Sequence, residues 1–244
     1  MRLKEGLVFL SDTRTNAGVD NVGTYRKQHV IAPGPRRLFV IESAGNLATT
    51  QEVLDRIRRD LENPGDDATL ATVDYLFEAA LYLGGLSRQV VAAHRDAMGA
   101  VDATATFILG GQIEDEEPEI LLVYPEGNYI RASDELPFLQ IGETKYGKFL
   151  LEMAATLHVD AETATKIALG SMMSTARANL SVGPPYDLAL YARGSFQADE
   201  FRIEADSPVL AKLQTTWETR LRASFAELPS FTREDLTQSS LRAP

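Results

Sequence analysis

The tightest constraint on the fold lies at the front of the chain. Three short apolar bursts follow one another within about 40 residues, with no helix-length segment between them. GLVFLS (6–11), TYRKQHVI (24–31) and RLFVIES (37–43) each have strand length and are bounded by polar or turn-forming residues. SDTRTNAG (11–18) and PGP (33–35) are rich in turn formers. A parallel crossover needs a dozen or more residues, usually a helix, and neither gap supplies one. The front of the chain therefore reads as an antiparallel meander.

Helices then come in pairs. Thr49 or Asn46 caps a helix with Val53, Leu54, Ile57 and Leu61 on one face, and Asn63-Pro64-Gly65 stops it. A second helix runs from about Thr72 to Met98, and its Gly84-Gly85 pair is either a weak point or a place of close packing. Strands return at 103–110, 119–125 and 128–132, with a turn at Glu126-Gly127-Asn128, and a short strand is expected at 138–142. Helices are expected at 144–157 and 161–178, strands at 186–193 and 199–205, and a last helix at 207–226. Hairpin-linked strands with paired helices argue for an α+β domain in which helices cover antiparallel sheets. No internal boundary is visible, so residues 1–228 read as one domain and 229–244 as a loose polar tail.

Composition narrows the function classes. The net charge of −11 repels phosphate backbones and argues against nucleic acid as a partner. No apolar run approaches the length of a membrane span, and MRLKEGLVFLSD lacks the long apolar core of a signal peptide. There is no cysteine, hence no disulfide and no thiolate metal site. A cytoplasmic protein without cofactor or metal is the expectation.

Several motifs suggest chemistry. His29, His94 and His158 are scattered, and EDEEPE (114–119) reads as a solvated loop rather than a cation site. GETKYGK (142–148) fits a phosphate loop, but Phe149 stands where a Ser or Thr must hold Mg²⁺. No G-x-S-x-G elbow occurs, and GSMMS (170–174) sits in a helical pattern. Asp12 and Arg14 stand where the first strand ends, and Lys27 lies in a strand expected to pair with the first. That pairing brings Asp12 and Lys27 together, either as a surface salt bridge of little consequence or as an ammonium held beside the start of the sheet.

EGLVFLSDTRTNAGVDNVGTYRKQHV resembles the start of proteasome β-type subunits, and with SAGNLATTQ (43–51), QIGETKYGK (140–148) and LSVGPPYDLALY (180–191) it is most similar to the bacterial ancestral beta subunit, or Anbu, branch. The resemblance spans roughly residues 3–225. It implies a four-layer αββα sandwich and a self-assembling threonine peptidase, a homo-oligomer stacked into a ring or an open helical assembly, acting on peptide or protein substrates. In that mechanism an N-terminal Thr attacks the carbonyl, its own amine is the base, and a lysine held by an aspartate tunes the amine. By motif match Asp12 takes the aspartate role, Lys27 the lysine role and Gly45 the oxyanion-binding place. Ser181 matches a serine that bonds near the amine, and Arg14 an arginine that holds the turn.

The resemblance sets the nucleophile about five residues ahead of Met1, so this chain is expected to start just past it. Ala178, followed by Asn179, stands where the family has an Asp, and Glu143 where proteasome β subunits commonly have a Ser. A structural compartment subunit without catalysis is the alternative reading.

Overall fold

A computed structural model describes residues 1–16, 22–65, 68–98 and 102–238. Two compact units are present, one spanning Met1–Ala205 and a second beginning at Asp206. The first unit holds two antiparallel sheets. β1 (Arg2–Leu3), β2 (Gly6–Asp12), β10 (Tyr186–Ala192) and β11 (Ala198–Ile203) form the first, in that spatial order. β5 (Gln28–Gly34), β6 (Arg37–Gly45), β7 (Ala105–Ile113), β8 (Glu119–Val123) and β9 (Tyr129–Arg131) form the second, every neighbour antiparallel. A two-stranded ribbon of β3 (Arg14–Asn16) and β4 (Val22–Thr24) projects between them in sequence.

The side-chain period of two sorts the layers. On β6, Leu38 and Val40 join Leu7 and Phe9 of β2 and Ile108 of β7 in a core between the sheets. Phe39 and Ile41 point the other way, onto α1 (Leu47–Glu62) and α2 (Leu76–Met98), with Val53, Ile57, Leu83 and Phe107. On β2, Val8 packs with Leu188 against Leu151 of α3 (Lys148–Ala154) and Ala164 of α4 (Ala161–Ala178). Three stacked cores thus give four layers, αββα. A fully buried Phe or Ile contributes about 1.5–3 kcal/mol, and the central strands β2, β6 and β7 are buried on both faces, whereas the edge strands β9 and β11 are exposed.

Most elements fall where the sequence puts them, and each difference has a physical cause. The second strand starts at Gln28 rather than Thr24, because 22–24 pairs with Arg14–Asn16 instead. Residues 138–142 form no strand. Pro137 precedes them, and their apolar side chains fill two cores at once: Phe138 packs against α3 and α4, Leu139 and Ile141 between the sheets. The helix expected from 144 begins at Lys148, after a turn closed by the Lys148 N–H on the Thr144 carbonyl at 3.1 Å. The 114–119 loop is a hairpin connection whose Asp115 and Glu117 pair with Arg36 and Arg193.

In the second unit, α5 (Pro208–Glu227) starts with Pro208 in its first turn, where the missing N–H is harmless. The tail is not uniformly loose: α6 (Arg233–Gln238) forms behind a reciprocal cap, in which Asp235 Oδ2 accepts from the Thr232 N–H at 2.7 Å and Thr232 Oγ1 accepts from the Asp235 N–H at 3.3 Å. Ala17-Gly18 of the first turn and the last six residues of the tail lie outside the described residues.

The Gly84-Gly85 pair divides its roles. A Cβ on Gly84 would come within 2.5 Å of the Gly127 carbonyl oxygen, whereas nothing stands within 4 Å of one on Gly85. Gly84→Ala should therefore lower unfolding free energy by about 1–3 kcal/mol through overpacking. Gly85→Ala should leave it unchanged or raise it by up to about 1 kcal/mol through helix propensity. Urea denaturation of the two variants measures both.

Candidate active site

Asp12 ends β2, opposite Tyr186 of β10, and Lys27 stands one residue ahead of β5. These belong to different sheets. The expected pairing of the first two strands does not occur, yet the ion pair forms: Lys27 Nζ donates to Asp12 Oδ1 at 2.7 Å, across the gap between the layers. Lys27 is held from behind, its carbonyl accepting from the Ser43 N–H at 3.0 Å. Asp12 Oδ2 accepts from the backbone N–H of Arg14 at 3.2 Å and of Gly183 at 3.4 Å, so both carboxylate oxygens have donors.

The turn that supplies Gly183 is fastened to the end of β2. Arg14 Nη1 donates to the carbonyls of Leu180 at 2.9 Å and Val182 at 3.4 Å, and the Thr13 hydroxyl donates to the Pro185 carbonyl at 2.8 Å. Ser181 lies inside this turn, and its hydroxyl and N–H both donate to Asn179 Oδ1, at 2.7 and 2.9 Å. Gly45 closes β6 with φ +109°, and a Cβ there would meet the Thr104 carbonyl at 2.5 Å. Glycine is needed at that corner. The next residue, Asn46, caps α1 by accepting the Thr49 N–H at 3.1 Å. Asp12, Arg14, Lys27, Gly45, Glu143 and Ser181 line one cleft of about 820 Å³. The five residues to which the resemblance gave roles, Asp12, Arg14, Lys27, Gly45 and Ser181, therefore meet there, with Glu143 beside them. The GETKYGK segment forms part of the wall as an irregular turn, with no parallel strand behind it.

Two groups in the cleft carry shifted proton affinities. The Met1 amine is buried, donates to the Val8 carbonyl at 2.6 Å, and is pulled down to about 6 by loss of hydration, the Glu42 carboxylate opposing. Glu42 is itself buried and pushed up to about 7 by the same loss, the amine opposing, and its Oε1 has no hydrogen-bond partner. Tyr186 is pushed up to about 12, first by burial and then by the Asp12 charge. Sequence reasoning missed Glu42. The signal was present, since it is a lone charge in the inward-facing set Leu38, Val40, Glu42 of an otherwise apolar strand.

No protein-family model and no curated protein matches the chain. Solved structures do. Anbu from Hyphomicrobium sp. strain MC1, as a Gly-1 mutant, is 42% identical with a TM-score of 0.88, over 95% of this chain and 97% of that one. Anbu (ancestral beta-subunit) from Yersinia bercovieri is 40% identical with a TM-score of 0.89, over 96% and 98%. The chain belongs to the Anbu family. A third Anbu, from Pseudomonas aeruginosa and described as a helical assembly, is 37% identical with a TM-score of 0.90, over 96% and 97%. Anbu proteins are proteasome-like, and the four-layer arrangement here is the one the sequence resemblance implied.

Among the described residues of this Anbu chain no helix is long and apolar enough to cross a membrane. Glu42 provides a test of the cleft's electrostatics. A carboxyl with a folded pKa of about 7 against an ordinary 4.5 is bound to its proton more tightly in the native state. Native stability is therefore lost as pH rises through that window. Glu42→Gln removes the loss. Its stability minus that of the native chain should grow from pH 4.5 to 7 by about 3 kcal/mol and then stay level. Urea titrations at several pH values measure this, and because the Glu42 charge also raises the proton affinity of the Met1 amine, the difference between the two chains reports the coupled pair.

Proposed function

We propose that this Anbu chain is a subunit of a self-assembling threonine peptidase of the cytoplasm, hydrolysing amide and ester bonds of peptides. The observation that carries the reading is the Lys27–Asp12 pair at 2.7 Å in a cleft shared with Gly45 and Ser181. The ammonium is only partly hydrated, with 21% of the side chain exposed, and Asp12 keeps it fixed. A fixed positive charge disfavours protonation of a nearby amine, which leaves that amine able to accept a hydroxyl proton near neutral pH.

In this reading the nucleophile is a threonine about five residues ahead of Met1, and strand register supports its location. β1 pairs with β2 at Arg2↔Leu7 and Leu3↔Gly6, and Met1 and Val8 exchange hydrogen bonds. Run further back in the same register, a residue about five places before Met1 falls opposite Thr13, beside Asp12 and Lys27. The threonine hydroxyl attacks the peptide carbonyl, its α-amine takes the proton, and an ester to the enzyme forms as the amine product leaves with that proton. Water then releases the acyl group by the reverse proton path. Gly45 offers its backbone N–H to the oxyanion, and Arg14 keeps the 180–183 turn against Asp12. Subunits associate as in the helical assembly of the Pseudomonas aeruginosa relative.

The test adds the five upstream residues, beginning with threonine, and assays small peptide esters and amides. Turnover is expected from the extended chain, with kcat/KM lowered by about a thousand-fold in Lys27→Ala. The 244-residue chain should show none, and turnover from it would overturn the mechanism. An extended chain that assembles but does not turn over would leave a compartment subunit without catalysis.

A further inference from the structure

Ser181, Asn179 and Glu143 form a hydrogen-bond chain with a defined direction. Asn179 Oδ1 accepts from the Ser181 N–H at 2.9 Å and the Ser181 hydroxyl at 2.7 Å, and Asn179 Nδ2 donates to Glu143 Oε2 at 2.9 Å. A backbone N–H only donates and an ionised carboxylate only accepts. Between those two neighbours the Asn179 amide can face one way. The Ser181 hydroxyl then gives its proton to Asn179 and leaves its lone pairs as acceptors. Glu143 is fastened too, its Oε1 accepting from the Lys145 N–H at 3.0 Å. An amide held in the same place at position 143 would set its NH2 against one of these two donors, whereas the carboxylate gives each its own oxygen.

Helix stability does not account for this carboxylate. Asn179 is the C-cap of α4, the negative end of the helix dipole, where a further negative charge is unfavourable. The cap itself needs no side chain, because the Asn179 backbone N–H bonds the Thr175 carbonyl at 2.8 Å. The side chains of 179 and 143 instead face the turn that Arg14 and Asp12 hold through Leu180, Val182 and Gly183. Ser181 is thus placed by its neighbours in the turn, and its polarity is set by Asn179 and Glu143.

We propose that Asn179 and Glu143 are positioning residues that hold the Ser181 hydroxyl as an acceptor for the N–H of an amino group working in the cleft. The identity of that amine rests on the peptidase reading. An amine acting as base must direct its lone pair at the nucleophile's hydroxyl, so its N–H bonds need fixed acceptors elsewhere. A Ser181 hydroxyl turned the other way would donate to that lone pair and block it. Charge and polarity are separable here. Asn179→Asp keeps the acceptor for Ser181 but sets two carboxylates in contact, which share one proton at low pH and repel when it is lost. Asn179→Asp combined with Glu143→Gln moves the charge to position 179. The amide introduced at position 143 can donate to that carboxylate, so the polarity at Ser181 returns.

Two measurements test this. The first needs no turnover: hydrogen exchange at the Ser181 N–H of the 244-residue chain. Exchange should accelerate about ten-fold in Glu143→Ala, and protection should return in the Asn179→Asp/Glu143→Gln double variant. Unchanged exchange in Glu143→Ala overturns the relay. The second uses the chain extended to an N-terminal threonine. Glu143→Gln should lower kcat about ten-fold with KM unchanged, Asn179→Asp should lose activity as pH rises, and the double variant should recover. Single variants with native kcat in a chain that turns over overturn the positioning role. If no extended chain turns over, the peptidase reading fails by itself and the exchange measurement alone decides the relay.

Discussion

The 2.7 Å bond between Lys27 and Asp12 joins the two sheets at the mouth of the sandwich, and the cleft is organised around it. Asp12 comes from the end of β2 and Lys27 from the approach to β5. Removing such charges from water is expensive, and the attraction between them repays it only when the remaining lone pairs are also used. Here they are: Asp12 Oδ2 takes two backbone N–H groups, from Arg14 and Gly183. Those same donors tie the 180–183 turn to the strand end. One carboxylate thus fixes an ammonium on one side and a serine-bearing turn on the other. As a source of stability the pair is modest, and as a geometric anchor it connects three separate stretches of chain.

Behind the pair the cleft floor is polar and poorly hydrated. Glu42 projects from β6 into the space between the sheets, where Leu38 and Val40 precede it in the same inward-facing set. Its carboxyl is held near a pKa of 7 and the Met1 amine near 6, each because burial disfavours charge. The two trends oppose each other with pH. The acid destabilises as pH rises through 4.5–7, whereas the amine stabilises as pH rises through its folded and ordinary values, 6 and 8.0. A sandwich with its interior wholly apolar would lack this sensitivity. The acid lies at the open end of the inter-sheet core, where the apolar cluster gives way to the cleft.

Sequence reading reached far into this molecule because its periodicities are clean. The run Leu38–Ile41 alternates between two cores, and Val53 and Ile57 lie one helical turn apart on a single buried face. It failed where tertiary demands override local pattern. Residues 138–142 look like a strand and are instead an apolar strap shared by two cores. Thr24 was drawn into a ribbon with Arg14, a pairing hidden in a segment with no alternation to read. Thr232 and Asp235 carried a cap signal that a polar composition obscured.

Gly45 and Ser181 were marked by the family resemblance alone, whereas residue types, periods and turns by themselves determined that the chain builds antiparallel sheets covered by helix pairs, and that Asp12 stands where its first strand ends. Those properties are local, set by side-chain period and backbone sterics within a few residues. Only the tertiary structure decided that Asp12 meets Lys27 across two sheets rather than along one. It also decided that Gly84, not Gly85, is the close approach, and that Asn179 faces Ser181 on one side and Glu143 on the other. Apart from the Asn179–Ser181 contact, which is local, these depend on residues 15 to 43 positions apart arriving at the same few ångströms, which layer packing sets and no sequence window contains.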